Sequence, residues 1–293
     1  MAKKKYIFNI NGGIGKCIAA TAVVKGIKEN YPDHELIVVS GYPDVFINNP
    51  NVDKSYAYSQ VNYFYPDHIE GNEVIVLSGD PYNETEFIRQ DTHVIAIWYR
   101  MADMEYKGQQ PELFLSEREI QYNFSKIQSD KPLFFMQTNG GADNQQNKYS
   151  WARDIPTGIV QKVIEHYAPK YNIIHIRRQD QIGYNGTSVL NDDFRSVASL
   201  LTFSAKRFFM DSFAQHTAAA LNLPSTVLWI ANKPEVFGYS LHTNIQANPE
   251  TRKPELKTSF LHKYDISGNP LQFPYNNEDE IFNVDQIIEA IGE

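Results

Sequence analysis

Short runs of consecutive apolar residues alternate along this chain with longer stretches of helical spacing. That is the pattern of a mostly parallel sheet whose strands are buried on both faces. Tyr6-Ile7-Phe8-Asn9-Ile10 is the first such run; the turn Asn11-Gly12-Gly13-Ile14-Gly15 follows, and then a helix over residues 16–30 that turns Ile18, Ala22 and Val23 inward. Residues 35–40 and 74–77 give further strands, and 93–97 reads either as a strand or as the buried start of a helix. The pattern breaks at Gly108-Gln109-Gln110-Pro111-Glu112, a capped helix covers 116–126, and Ser129-Asp130-Lys131-Pro132 marks a hinge. Beyond the hinge it restarts, with strands at 133–136, 172–176, 207–210 and 225–229 and helices over 155–167 and 193–203. The polar stretch 244–277 has little periodicity, and 284–291 reads as a closing helix.

Two βα arrays joined by a Pro-containing linker predict two Rossmann-like halves facing across a cleft, residues 1–128 and 129–293. The length of 293 residues fits that division, since single cores stop growing near about 250 to 300 residues, although one large domain is also consistent with it. No tandem repeat at solenoid periods is present.

Composition narrows the classes of function. With 27 Lys+Arg against 35 Asp+Glu the formal charge is −8, which disfavours a broad nucleic-acid footprint while leaving room for a local basic groove. Cys17 is the only cysteine, so no internal disulfide forms, and no apolar signal segment follows Met1-Ala2-Lys3-Lys4-Lys5; a reducing, cytoplasmic setting is expected. No run approaches the roughly 18 apolar residues of a membrane span, so no integral membrane contact is expected. The aromatic content is high, with 18 Tyr and 17 Phe, and core and interface packing is the expected use of most of these rings. The polar, tyrosine-rich stretch 56–65 is different, because its rings can stack on sugars or bases.

Two turns carry candidate chemistry. After the strand 207–210, Asp211-Ser212-Phe213-Ala214-Gln215-His216 opens an Ala-rich helix. The free N–H groups of such a start suit an anion, with Asp211 and Ser212 able to cap and Gln215 and His216 able to face a ligand beyond the strand ends. Taken alone, the segment is better explained as an ordinary capped helix with a surface histidine, since Asp-Ser caps are common in α/β proteins. In the first turn, glycines permit close backbone approach to a phosphate or sugar hydroxyl, although a plain βα turn is also consistent. It is neither a Walker A loop, since Ile10 stands at the first glycine position and Cys17 at the hydroxyl position, nor a dinucleotide fingerprint, since the G-x-G-x-x-G spacing is missing.

Taken together, the two turns resemble glycosyltransferase family 9, the heptosyltransferase-like enzymes of GT-B architecture. The likeness runs through Gly12-Gly13-Ile14-Gly15-Lys16, Tyr31-Pro32-Asp33 and Asn49-Pro50-Asn51-Val52-Asp53. It continues in Lys148-Tyr149-Ser150-Trp151 and in Asp211-Ser212-Phe213-Ala214-Gln215-His216, where Phe213 replaces the usual glycine. It spans roughly residues 6–240. The Asn-Gly-Gly-Ile-Gly-Lys variant with its aromatic-rich first half also resembles glycosyltransferase-like proteins of bacteriophages.

The resemblance implies inverting, metal-independent sugar transfer from a nucleotide-diphosphate sugar, with that donor as co-substrate and no other cofactor. The acceptor it implies is a glycan or a hydroxymethylated DNA base. Donor contacts would come from Lys148, Asp211, Ser212, Phe213, Ala214, Gln215 and His216, and acceptor contacts from Gly12, Gly13, Gly15, Tyr63 and Tyr65. The family's general base, an Asp in the first turn, is Lys16 here. A charged lysine holds an anion more readily than it removes a proton, so the base is sought at Asp80, in the turn Ser78-Gly79-Asp80-Pro81-Tyr82 after the strand 74–77. A turn-forming Asp-Pro is the plainer reading of that residue. A module that binds a nucleotide sugar but has lost its base is the alternative function.

Overall fold

A computed structural model describes residues 2–127, 129–140, 150–253 and 274–293. The first sheet is four-stranded and wholly parallel, in the order β3-β2-β1-β4, from β1 (Lys4–Ile10), β2 (Glu35–Ser40), β3 (Lys54–Ala57) and β4 (Glu73–Leu77). Between β1 and β2 runs α1 (Ile14–Asn30); after β4 come α2 (Thr85–Arg89), α3 (Val94–Met101) and α4 (Glu117–Phe124). The second sheet, also parallel, is six-stranded in the order β10-β9-β8-β5-β6-β7. Its strands are β5 (Leu133–Gln137), β6 (Asn172–Ile176), β7 (Thr187–Leu190), β8 (Ser204–Met210), β9 (Thr226–Trp229) and β10 (Thr243–Gln246), connected through α5 (Thr157–Tyr167), α6 (Phe194–Leu201), α7 (Phe213–Ala220) and α8 (Pro234–Phe237) and followed by α9 (Val284–Ile291).

The continuous apolar runs become central strands, except the one over 74–77, which forms the edge strand β4. Phe8 pairs with Val38 and with Leu77 across β1, and Phe135 pairs with Ile174 and with Arg207 across β5. Three strands escape the sequence pattern, namely β3, β7 and β10, and all three are edge strands. An edge strand has one neighbour and an accessible side, so KSYA, TSVL and TNIQ need no apolar run. The segment 93–97 is resolved as a helix: His93 precedes α3, and its Nδ1 accepts from the Ile95 amide at 3.2 Å. The expected helix over 116–126 is α4, with Ser116 and Glu119 forming a reciprocal capping box.

Helix α1 is buried nearly all round, beyond the three inward positions read from its periodicity: Cys17, Ile18, Ala20, Val23 and Val24 are each 0% exposed. The cause is its position, packed by the first sheet and α3 on one side and by α7 of the second half on the other. Gly26 lets Tyr99 lie against the helix and donate to the Ala22 carbonyl at 2.9 Å. Cys17 is a buried free thiol, and burial pushes it up to about 11. One apolar core therefore runs continuously from the first sheet through α1 and α7 into the second. Helices α5 and α9 close the opposite face of the second sheet. Among the described residues, no helix is long and apolar enough to cross a membrane.

Candidate functional site

The carboxyl ends of both sheets open into one cleft of about 820 Å³, lined from the first half by Gly12 to Lys16, Asp80 and Tyr82 and from the second by Arg153, Asp211, Ser212, Phe213 and His216. Ligand sites of open α/β sheets form at such strand ends. Gly12 takes φ +117°, a left-handed value that favours glycine, and turns the chain off β1 into α1. Gly15 then comes so close to the second half that a Cβ there would lie 2.9 Å from His216 Cδ2 and 3.5 Å from Phe213 Cα. The two turns singled out in the sequence thus abut.

Lys16, on the first turn of α1, folds back over the cleft and places Nζ 2.6 Å from Asp80 Oδ1 and 4.0 Å from the Tyr82 ring centroid. β4 neighbours β1 in the sheet, which carries the turn after β4 alongside the turn after β1. Asp80 Oδ1 also accepts the Tyr82 amide at 2.9 Å. The two residues assigned separately to catalysis form one ion pair, and the carboxylate's orientation is fixed by a cation and a backbone amide together. Lys16 is the more deeply buried partner, at 5% side-chain exposure against 29% for Asp80.

At the second turn several expectations change. Ser212 occupies the N-cap position with an extended backbone, but its side chain makes no capping bond. Asp211 does not cap either; its carboxylate accepts from Asn232 Nδ2 beyond β9. Burial raises the Asp211 carboxyl, opposed by the Arg153 charge and the Asn232 bond. The Ala214 amide donates to Gln137 Oε1 at 3.2 Å, so that donor is already engaged. Ala214 and Gln215 are both fully buried and do not line the cleft, because Gln215 turns inward to donate to the Phe237 carbonyl. His216 is no surface residue: it is 5% exposed, its Nδ1 lies 2.7 Å from the Tyr239 hydroxyl, and burial lowers it to about 3, so it is neutral at physiological pH. Phe213 stays in the cleft wall, edge-on to Phe194.

Lys148 lies outside the described residues. A cation the sequence reading passed over stands beside that segment. Arg153 packs its guanidinium on Gly140, whose Cβ position is 3.2 Å from Nε, and it makes no side-chain hydrogen bond or ion pair among the described residues. Asp154 fixes this geometry, accepting the Gly140 amide at 2.9 Å and the Ser150 amide at 2.8 Å. The neighbouring Trp151, already part of the family likeness, was the signal available in the sequence. Tyr63 and Tyr65 do not line the cleft; they project from a segment that crosses the outer face of the first sheet. Asp193 caps α6 by accepting the Ser196 amide at 3.0 Å. Among the described residues no group of three His, Cys, Asp or Glu side chains is arranged to hold a metal ion.

The cleft therefore sets a carboxylate with its lysine against a helix start and an arginine that has no hydrogen-bond or ion-pair partner among the described residues, an arrangement able to hold an anion beside a base. No family model and no curated protein matches the sequence. Solved structures do match. The glycosyl transferase family 9 structure from Veillonella parvula DSM 2008 aligns with TM-score 0.68 at 11% identity, over 99% of this chain and 96% of that one. E. coli ADP-heptose lps heptosyltransferase II aligns with TM-score 0.63 at 14% identity, over 83% and 89%. The dodecameric iron-containing heptosyltransferase TibC, from enterotoxigenic E. coli and in complex with ADP-D-β-D-heptose, aligns with TM-score 0.64 at 12% identity, over 90% and 70%. At these identities the likeness is one of architecture, and with its two parallel sheets and their helices this chain has the GT-B glycosyltransferase fold.

Proposed function

We propose that this chain is a cytoplasmic glycosyltransferase that moves a sugar from a nucleotide-diphosphate sugar to an acceptor hydroxyl, inverting and without a metal ion. Residues 129–293 hold the donor and residues 1–128 meet the acceptor, a glycan or a hydroxymethylated DNA base. The observation that carries this reading is the meeting, across one cleft, of the Lys16–Asp80 pair with Arg153 and the start of α7. A similar fold is solved with ADP-D-β-D-heptose, which supports a nucleotide sugar as the donor.

In this mechanism the diphosphate lies against Arg153 and the amides at Ser212 and Phe213, which meet its charge as the bond to the sugar carbon breaks. The family likeness assigns a donor-phosphate contact to Lys148 as well, a residue outside those described. The acceptor oxygen attacks that carbon from the opposite face, and its proton passes to the Asp80 carboxylate. Lys16 holds Asp80 in place and balances its charge. His216, neutral and engaged through Nδ1 with the Tyr239 hydroxyl, lines the cleft and has Nε2 to offer the donor.

A second reading has its own observation. Lys16 occupies Asp80 at 2.6 Å, and a carboxylate so engaged suits a binding module as well as an enzyme. Incubation with a panel of nucleotide-diphosphate sugars separates the two. A transferase releases nucleoside diphosphate slowly by hydrolysis and raises its Tm with the donor; a Tm rise with no release at all favours the module, and no Tm rise with any donor removes the donor site.

A further inference from the structure

The segment 58–72 crosses the outer face of the first sheet and is fastened at both ends. At the cleft end the Tyr58 hydroxyl is 2.8 Å from Asn9 Oδ1 and 2.8 Å from Asn11 Oδ1, beside the cleft-lining Gly12. Toward the other end Lys5 Nζ donates to the Asp67 carbonyl at 2.9 Å and meets His68 Nδ1 at 3.0 Å, and Asn72 Oδ1 accepts the Lys3 amide at 3.2 Å. Between these ends Phe64 and Ile69 pack over Ile7, Ile37 and Val39. The inner side chains therefore account for the segment's place on the sheet.

The outward side chains are not explained that way. Tyr63 is 80% exposed and Tyr65 65%, with Val61 between the cleft end and Tyr63 also exposed. Tyr63 holds φ +62°, a left-handed conformation that glycine or asparagine adopts with less strain than a bulky aromatic residue. A ring that adds nothing to the core, on a backbone that disfavours it, points to a use of the ring itself. Tyr65 opens a short π-helical turn over Tyr65–Ile69, a local geometry frequent at functional sites.

Charge selects the occupant. The segment 58–72 carries Asp67 and Glu70 and no Lys or Arg, while Lys5 beneath it is buried against Asp67 and His68 and Lys54 pairs with Glu35. Such a segment offers a phosphate backbone or an anionic membrane no cation of its own to pair with. It offers flat phenol rings, with exposed Gln60 and Asn62 amides between them, to a ligand that is neutral and rich in hydroxyl groups.

We propose that Tyr63 and Tyr65, carried on the segment that leaves the cleft at Tyr58, bind the outer sugars of a neutral glycan whose terminal hydroxyl enters the cleft. This names the acceptor class and rests on the transferase reading above. The ring faces stack on sugar C–H faces, and Gln60 and Asn62 hydrogen-bond sugar hydroxyls.

The test is retention on an array of neutral oligosaccharides, comparing the wild type with the double variant Tyr63→Asn/Tyr65→Ala, alongside the Tm shift each gives with nucleotide-diphosphate sugars. The expected result is selective retention of the wild type, at least a tenfold loss in the double variant, and equal donor shifts in both. Tyr63→Asn alone keeps or raises the Tm, which separates loss of the ring from loss of the fold. Absence of oligosaccharide binding by the wild type, equal binding by the double variant, or stronger binding of single-stranded DNA carrying hydroxymethylated bases overturns the proposal. If the rings bind sugars but no donor shifts the Tm, the surface stands and the transferase reading falls.

Discussion

Gly15 and His216 come from turns 201 positions apart in the chain, yet the ring of one fills the space where a side chain on the other would sit, with 2.9 Å from a Cβ at Gly15 to His216 Cδ2. This contact sets the spacing between the starts of α1 and α7. Gly15→Ala forces either the ring or a helix to shift, at a cost of about 1 to 3 kcal/mol for overpacking. Its Tm should fall, and donor affinity should fall with it. A variant of unchanged Tm and unchanged donor affinity shows that the contact does not govern the cleft.

Asp80→Asn preserves an acceptor for the Tyr82 amide but removes the charge paired with Lys16. Nucleotide-sugar transfer should drop by about 10²- to 10⁴-fold, the range for a lost general base, while donor affinity stays the same. Lys16→Met frees the carboxylate but leaves it poorly oriented, and should also lower kcat. Steady-state kinetics on both variants checks this; full activity in Asp80→Asn moves the base elsewhere.

Arg153→Ala removes a guanidinium that spends none of its donors within the described protein. A charge-assisted bond to a diphosphate is worth roughly 1.5 to 3 kcal/mol, so donor Kd should rise about tenfold to a hundredfold with little change in Tm of the free protein. Calorimetric titration with a nucleoside diphosphate reads the difference. Equal affinity in wild type and variant excludes Arg153 from the donor site.

Arg195 ties the halves together. From α6 it donates to Glu119 Oε1 at 2.6 Å, to the Asp44 carbonyl at 3.0 Å and to the Phe114 carbonyl at 2.8 Å, and this pairing holds the Glu119 carboxyl at about 2. Arg195→Ala leaves these acceptors without their donor and should cost about 2 to 3 kcal/mol in urea unfolding. Arg195→Lys, lacking the planar fork, should recover only part of it.

Stability should also fall in mild acid. His93, His216 and His242 surround Tyr239, and burial lowers them to about 4, 3 and 4. A histidine kept neutral in the folded state binds its proton more readily when unfolded. Its contribution is therefore complete above about pH 6.5 and is lost as pH falls toward the folded value, by up to about 1.4 kcal/mol per pH unit for each excluded proton. Glu119 adds a loss only below the carboxylate range. A urea midpoint that is the same at pH 7 and pH 5 contradicts this.

The central strands and the two turns were legible in the amino-acid order because a strand covered on both faces must be apolar along its length, and because glycines and a short polar turn punctuate it. The helices over 16–30 and 284–291 were legible from the helical spacing of their apolar positions. Edge strands β3, β7 and β10 were not, since half-exposed backbone makes little demand on composition.

The sequence by itself determined which residues can end a strand, begin a helix or carry charge: Gly12, Lys16, Asp80, Arg153, Asp211 and His216 are all fixed by it. Only the tertiary structure decided their relations. It joined Lys16 to Asp80, turned Asp211 toward Asn232, buried Gln215, and carried Tyr63 and Tyr65 out of the cleft. Local propensity acts over a few residues along the chain, whereas these relations arise from strand order and from packing between helices distant in sequence, which no local pattern encodes.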